Sequence, residues 1–188
     1  MSQYTQPDVQ RVLDSAARKG VELHLRTLSS AASCPEEAAI LVGADLGQIV
    51  DPIVFVAARP EGRLAPVVCL VSGRNHVDPC LLAAVIGESA VRRATASEVR
   101  ELTGYQLGMV PPFGHGRNVR TVMDADLGAY EWVWALAGSE TTMLRITPGV
   151  LCMLANAFVT PLAETSWAPA VNAPVTERQL QFEASSQP

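Results

Sequence analysis

Residues 104–116 read Gly-Tyr-Gln-Leu-Gly-Met-Val-Pro-Pro-Phe-Gly-His-Gly, four glycines and two adjacent prolines between a helix-patterned and a strand-patterned segment. Glycine admits backbone angles that other residues resist and lets another group approach the main chain closely. Proline fixes φ and removes an N–H donor. A loop built this way holds a bend with amide N–H groups free to face a cleft, where they suit a carbonyl oxygen or a developing oxyanion. It is equally the composition of a tight connector with no ligand, and composition leaves both readings open.

Upstream of the loop, Thr95 precedes ASEVRELT, with Glu98 at the position that closes a capping box and Gly104 as the stop. Downstream, residues 118–124 (NVRTVMD) are strand-like. Farther out, residues 8–19 place Val9, Val12, Leu13 and Ala16 at helical spacing and stop at Gly20. Residues 21–28 alternate as a half-buried strand. Ser33, Pro35 and Glu36 read as a capping box opening a helix that ends before Gly47. Strands at 53–58 and 67–72 flank the turn PEGRLAP and form a hairpin. Asp78-Pro79 caps a helix over CLLAAVIG, and residues 91–94 (VRRA) are a short strand. Residues 131–137 (EWVWALA) read as a strand buried on both faces or nearly so, followed by a strand at 143–146. Thr147-Pro148 caps a last helix over GVLCMLANAF.

This mixture predicts a single mixed α+β domain over residues 1–164, with a mostly antiparallel sheet or partial barrel surrounded by helices. A flexible tail is expected over 165–188, where apolar periodicity fades. A Rossmann fold and a P-loop are excluded, because neither glycine motif occurs.

With 48% hydrophobic and 18% charged residues the chain is of the globular type. No apolar run reaches the ~20 residues of a membrane span, and the polar start MSQYTQPDVQ lacks a secretion-signal layout. A cytoplasmic location is therefore expected, with no membrane partner. A net charge of −5 argues against DNA or any broad nucleic-acid surface. It leaves room for gripping the end of an RNA with local cations, such as Arg92, Arg93 and Arg100 or Arg117 and Arg120. Cys34, Cys69, Cys80 and Cys152 are far apart and read as buried or partly buried reduced thiols. Neither the cysteines nor His24, His76 and His115 have ligand spacing, so no metal site is expected.

The stretch G-Y-x-x-G-x-V-P-P-F-G resembles the glycine–x–x–x–proline loop of the YbaK and prolyl-tRNA editing family, here Gly108 to Pro112. EEAAILVGADLGQIV, SGRNHVDPCLLAAVIG, RRATASEVRELTGY, TVMDADLGAYEWVWALAGS and ITPGVLCML resemble segments of the same family in the same order. The resemblance covers about residues 20–160. It implies hydrolysis of the ester of a mischarged aminoacyl-tRNA, with no metal or organic cofactor. The implied partners are the acceptor end of the aminoacyl-tRNA and, secondarily, an aminoacyl-tRNA synthetase. It also implies that the Gly108 to Pro112 backbone positions the ester carbonyl for attack by water, helped in several members by the adjacent ribose hydroxyl.

By the same resemblance, the residue after Gln48-Ile49-Val50 is a lysine in many members, and here it is Asp51. A cation has become an anion, which repels a polyanion. Three readings follow. An arginine elsewhere, such as Arg26, Arg120 or Arg145, supplies the cation; Asp51 recognises an amino group; or the chain binds without hydrolysing. The expected catalytic positions are thus Gly108 and Asp51, and the expected substrate-binding positions are Met109, Val110, Pro111, Pro112, Phe113, Gly114, His115, Asp124, Gly138 and Ser139. His115 is either a general base or an exposed loop residue. Asp124 and Gly138-Ser139 border the cleft by resemblance and read as turn residues by composition. Trp132 and Trp134 suit stacking on an adenine or burial in the core.

Overall fold

Branched and apolar side chains fill residues 50–58 and 64–72, and there the chain builds its longest hairpin. In the computed structural model, which describes residues 6–59 and 63–163, β2 (Val50–Ala58) pairs antiparallel with β3 (Leu64–Ser72) from Val50↔Ser72 to Ala58↔Leu64. Around it lie, in chain order, α1 (Pro7–Ala17), β1 (His24–Thr27), α2 (Pro35–Val42), α3 (Pro79–Ile86), β4 (Arg92–Arg93), α4 (Ala96–Thr103), β5 (Arg120–Asp124), β6 (Val133–Ser139), β7 (Thr142–Ile146), α5 (Pro148–Ala155) and β8 (Phe158–Thr160).

Two sheets result, ordered β4-β2-β3-β5-β8 and β1-β7-β6. The β3/β5 and β5/β8 pairings are parallel and the other pairings between named strands antiparallel. A parallel bridge from Ile49 to Trp134 joins the two sheets at one corner, and no closed barrel forms. The expected mixed α+β class with a mostly antiparallel sheet is the observed one.

Strand β3 shows how the layers form. Its side chains alternate between faces. Val68 and Leu70 join a cluster with Val12 of α1, Val133 and Ala135 of β6, and Tyr105, Val110 and Phe113 of the loop. Val67, Cys69 and Val71 join Leu82 and Ile86 of α3 on the other face. A third cluster seats α2 through Ala38, Ala39 and Val42 on Ile49 and Met143. The glycine–proline loop is thus part of the main core, held by apolar side chains rather than draped on the surface.

Helix starts largely follow the sequence. The Asp78 side chain caps α3, Thr95 and Glu98 form a complete capping box on α4, and Thr147 caps α5. Elsewhere local chemistry differs from expectation. The cap of α2 is Cys34 rather than Ser33 and makes no side-chain bond; Glu37, not Glu36, reaches back to the Ser33 amide at 2.8 Å. Helix α5 ends at Ala155 because Asn156 adopts the left-handed conformation (φ 48°), and Phe158 starts β8, a strand not anticipated. The Trp-rich strand begins at Val133; Val133, Ala135 and Ala137 are buried, whereas Trp134 and Leu136 are half-buried. Cys34 and Cys80 are exposed, contrary to the expectation for the thiols. The tail expected from residue 165 lies outside the described residues. Among the described residues, no helix is long and apolar enough to cross a membrane.

Burial separates the thiols chemically. Cys69 has no exposed surface, and burial pushes its thiol up to about 12. A maleimide reagent on the native protein is therefore expected to label Cys34 and Cys80 first and Cys69 only after unfolding. Fast modification of Cys69 in the native state, read by peptide mass mapping, contradicts this packing.

Candidate functional site

The loop from 104 to 116 is fastened at both ends by its own side chains and by α1. Tyr105 is buried and donates from its hydroxyl to the Gly114 carbonyl at 2.9 Å. His115 Nε2 lies 2.9 Å from the Pro111 carbonyl; a carbonyl only accepts, so this nitrogen carries the proton. The Arg11 guanidinium sits 4.3 Å from the Tyr105 ring centre and donates to the Gly104 carbonyl at 3.1 Å and to Asp8 at 2.7 Å. Strand β6 accommodates the tyrosine by a bulge between Leu136 and Ser139. At Gly138 (φ 83°) a Cβ would lie 3.0 Å from the Tyr105 ring, so only glycine fits.

Between these ties the loop turns at Gly108, whose φ of 82° favours glycine. The Met109 amide is used inside the turn, donating to the Gln106 carbonyl at 3.0 Å. Pro111 and Pro112 have no amide proton. Among the described residues, the amides of Gly108 and Val110 have no hydrogen-bond partner.

Those two residues wall two adjoining hollows together with Asp51 and Pro52. One is a hollow of about 80 Å³ bordered by Ser33, Cys34 and Pro35 at the start of α2 and by Leu136 and Met143 of the small sheet. The other, of about 190 Å³, opens past Leu107 toward Arg93. Asp51 stands on the shared wall, half-buried in β2, with its backbone paired to Val71. Its carboxylate has no hydrogen-bond partner among the described residues. Burial raises its pKa; the Arg93 charge opposes this, Glu36 adds to it and His76 opposes it.

Strand alternation decides which arginine reaches the site. Residues Arg92 and Arg93 pair with Val56 and Phe55 of β2, and neighbours on a strand point to opposite faces. Arg92 turns to α4 and holds Glu98 through two bonds of 2.7 and 2.8 Å, which lowers that carboxyl to about 2. Arg93 turns to the open hollow and makes no ion pair among the described residues. The arginines read from sequence as replacement cations are occupied elsewhere. Arg26 donates to the Val42 carbonyl at the end of α2, and Arg120 to the Ile86 carbonyl at the end of α3. Arg145 lies over Trp132 at 4.9 Å and Trp134 at 6.0 Å, and Trp134 also packs, half-buried, against the cluster that seats α2.

The remaining expected positions fall outside the two hollows. Pro111, Pro112 and Phe113 are buried behind the loop. Gly114 and His115 serve its lower ties. Met109 lines a separate recess with Gly138 and Ser139. Asp124 is 1% exposed and accepts from Asn75 Nδ2 at 2.6 Å, capping the short 3₁₀ turn over Ala125–Ala129. The sequence reading missed the contribution of Ser33, Cys34 and Pro35; their position just before a helix, feeding toward the Gln-Ile-Val strand, was the available signal.

A mixed α+β domain with a glycine-loop cleft of two hollows, both lined by Gly108, Val110 and Asp51, is the class of protein that this geometry defines. A family model of the aminoacyl-tRNA editing domain matches residues 29–152, and the chain belongs to that family. A crystal structure of a candidate trans-editing enzyme for prolyl tRNA synthetase is 37% identical with a TM-score of 0.77, over 86% of this chain and 99% of that one. The uncharacterized protein YwhH of Bacillus subtilis (strain 168) is 28% identical over 113 residues, 60% of this chain and 69% of that protein. The proline--tRNA ligase of Aquifex aeolicus (strain VF5) is 28% identical over 103 residues, 54% of this chain but 17% of the ligase. At family level the activity is aminoacyl-tRNA editing, in the service of translation fidelity.

Two measurements check this geometry. Gly108→Ala places a methyl where no atom lies within 4 Å but imposes a left-handed angle, so the fold should persist with a loss of about 1–2 kcal/mol in denaturant unfolding. Burial holds the pKa of His115 below the ordinary 6.5, with Arg11 adding to the effect. A depressed base favours folding while neutral, so this contribution is complete above pH 6.5 and is lost as pH falls through the lowered value. The melting temperature should drop more steeply below pH 6 in the native chain than in His115→Asn; parallel curves would show that His115 is already solvated.

Proposed function

We propose that the chain is a free-standing aminoacyl-tRNA deacylase that acts in the cytoplasm on the acceptor end of a mischarged tRNA. One observation carries the reading: Gly108 and Val110, whose amides have no partner among the described residues, both line the hollow that also holds Asp51. An ester carbonyl between them gains charge as water attacks, and fixed amide donors in a partly desolvated place favour that charge. The acyl carbon–oxygen bond then breaks; one water is consumed, and a free amino acid and a tRNA with a free terminal hydroxyl leave. The donors come from a loop whose ends are already tied, so little reorganisation accompanies the reaction. Membership of the editing family and the likeness to a candidate trans-editing enzyme support tRNA rather than another ester as substrate. A synthetase is the partner protein that this reading suggests.

A second reading, a family member that binds aminoacyl-tRNA or a synthetase without hydrolysis, is favoured by one residue. Asp51 occupies the place where the family resemblance puts a lysine. The test is deacylation of a panel of mischarged tRNAs. Hydrolysis above the buffer rate, reduced about 100-fold in Gly108→Ala without loss of folding, is the expected result. Binding with no turnover of any member of the panel selects the second reading, and unchanged turnover in Gly108→Ala makes the loop a mere connector.

A further inference from the structure

Every cation that sequence offered as a stand-in for lysine is engaged, yet the cleft contains an acid and an arginine that feel each other's charge without a hydrogen bond or ion pair among the described residues. Asp51 lies on the wall common to both hollows, half-buried and without a hydrogen-bond donor among the described residues. A half-buried carboxylate without donors is costly, and a ligand cation relieves that cost. Glu36, in the first turn of α2, adds its negative charge to the field at Asp51. Arg93 lines the larger hollow and not the smaller one, exposed and without an ion pair among the described residues. The smaller hollow otherwise presents Ala32, Ala38, Ile49, Val50, Leu136 and Met143, an apolar lining suited to a side chain. An acid on the shared wall and an arginine in the larger hollow alone give the cleft a direction.

Resting on the proposed deacylase reading, we propose that these charges orient the substrate: Asp51 receives the α-ammonium group of the esterified amino acid, and Arg93 receives the 5′-phosphate of the terminal adenosine. The aminoacyl group then enters the smaller hollow and the nucleotide remains in the larger one, with the ester at Gly108 and Val110, which line both. A guanidinium fork suits a phosphate. The ammonium supplies the cation that the carboxylate lacks. The site thereby selects aminoacyl esters with a free amino group and rejects N-acylated ones, whose nitrogen is neutral.

The probe is 3′-deoxy-3′-(L-alanylamino)adenosine 5′-phosphate, in which an amide replaces the ester and alanine offers the smallest chiral side chain. Its N-acetyl derivative and its form lacking the phosphate complete the set, with affinities read by calorimetry. The native chain should bind the free-amine probe at least about tenfold more tightly than the acetylated one. Asp51→Asn should remove that preference. Arg93→Ala should lose about tenfold on the phosphorylated probe and nothing on the phosphate-free one, and Arg93→Lys should recover part of the loss. Equal affinity for free and acetylated probes, or no binding of either, overturns the assignment even where mischarged tRNA is hydrolysed. Clear discrimination with no hydrolysis of any tRNA instead overturns the deacylase reading and leaves the orientation standing.

Discussion

The hydroxyl of Tyr105 donating to the Gly114 carbonyl is the bond on which the site depends. It closes the glycine–proline segment on itself, so the residues between can bend without losing their place. The ring of the same tyrosine is buried and lies under the Arg11 guanidinium of α1, which fixes the loop to the main body. His115, held neutral by burial and bonded to Pro111, secures the loop from within. The imidazole, which on sequence suited a general base, is spent on architecture. With the ends fastened, a left-handed glycine and two prolines leave two amide donors, Gly108 and Val110, without internal partners. An unbonded pair of donors beside a cavity is maintained only because the surrounding contacts hold it there.

Charge in the cleft follows from a different constraint, the alternation of strand residues. Arg92 and Arg93 are adjacent in sequence, and one serves α4 while its neighbour faces the hollow. On the neighbouring strand, β2 enters the sheet with Asp51 at its second residue, which lines both hollows. Pairing of β4 with β2 therefore brings an acid and an arginine to one cleft without a direct bond between them. Arg93, which sequence offered only as one of several local cations, lines the hollow that Asp51 shares, whereas Arg26, Arg120 and Arg145 are engaged elsewhere.

Much of the fold was legible because its signals are local. Helix caps at Asp78, Thr95 and Thr147, the hairpin from β2 to β3, and the alternation of β1 each follow from neighbouring residues. What escaped was set by tertiary context. The stop of α5 at Asn156 needs a left-handed asparagine, which competes poorly with an apolar run on sequence alone. Strand β8 exists because β5 offers a parallel edge, a partner distant in sequence. In the site, Asp51 and the glycine loop were legible as unusual residues. That Arg93 rather than Arg26, Arg120 or Arg145 lines the hollow was not, since each of the other three is claimed by a helix end or a tryptophan through tertiary contacts.

Replacing the lysine of the family resemblance by aspartate reads at first as loss of function, because one charge is inverted at a residue that lines both hollows. That inference assumes the ligand is uniformly anionic there. An aminoacyl-tRNA end is not: it carries a phosphate on one side of the ester and an ammonium on the other, a few bonds apart. A site with a single cation favours the phosphate side and is indifferent or hostile to the ammonium. In the orientation proposed above, Arg93 in the larger hollow and Asp51 on the shared wall meet one charge each, beside Gly108 and Val110. Charge inversion at residue 51 is thus compatible with the same ligand held by more of its charges, provided that a cation lies across the wall, and β4 supplies one.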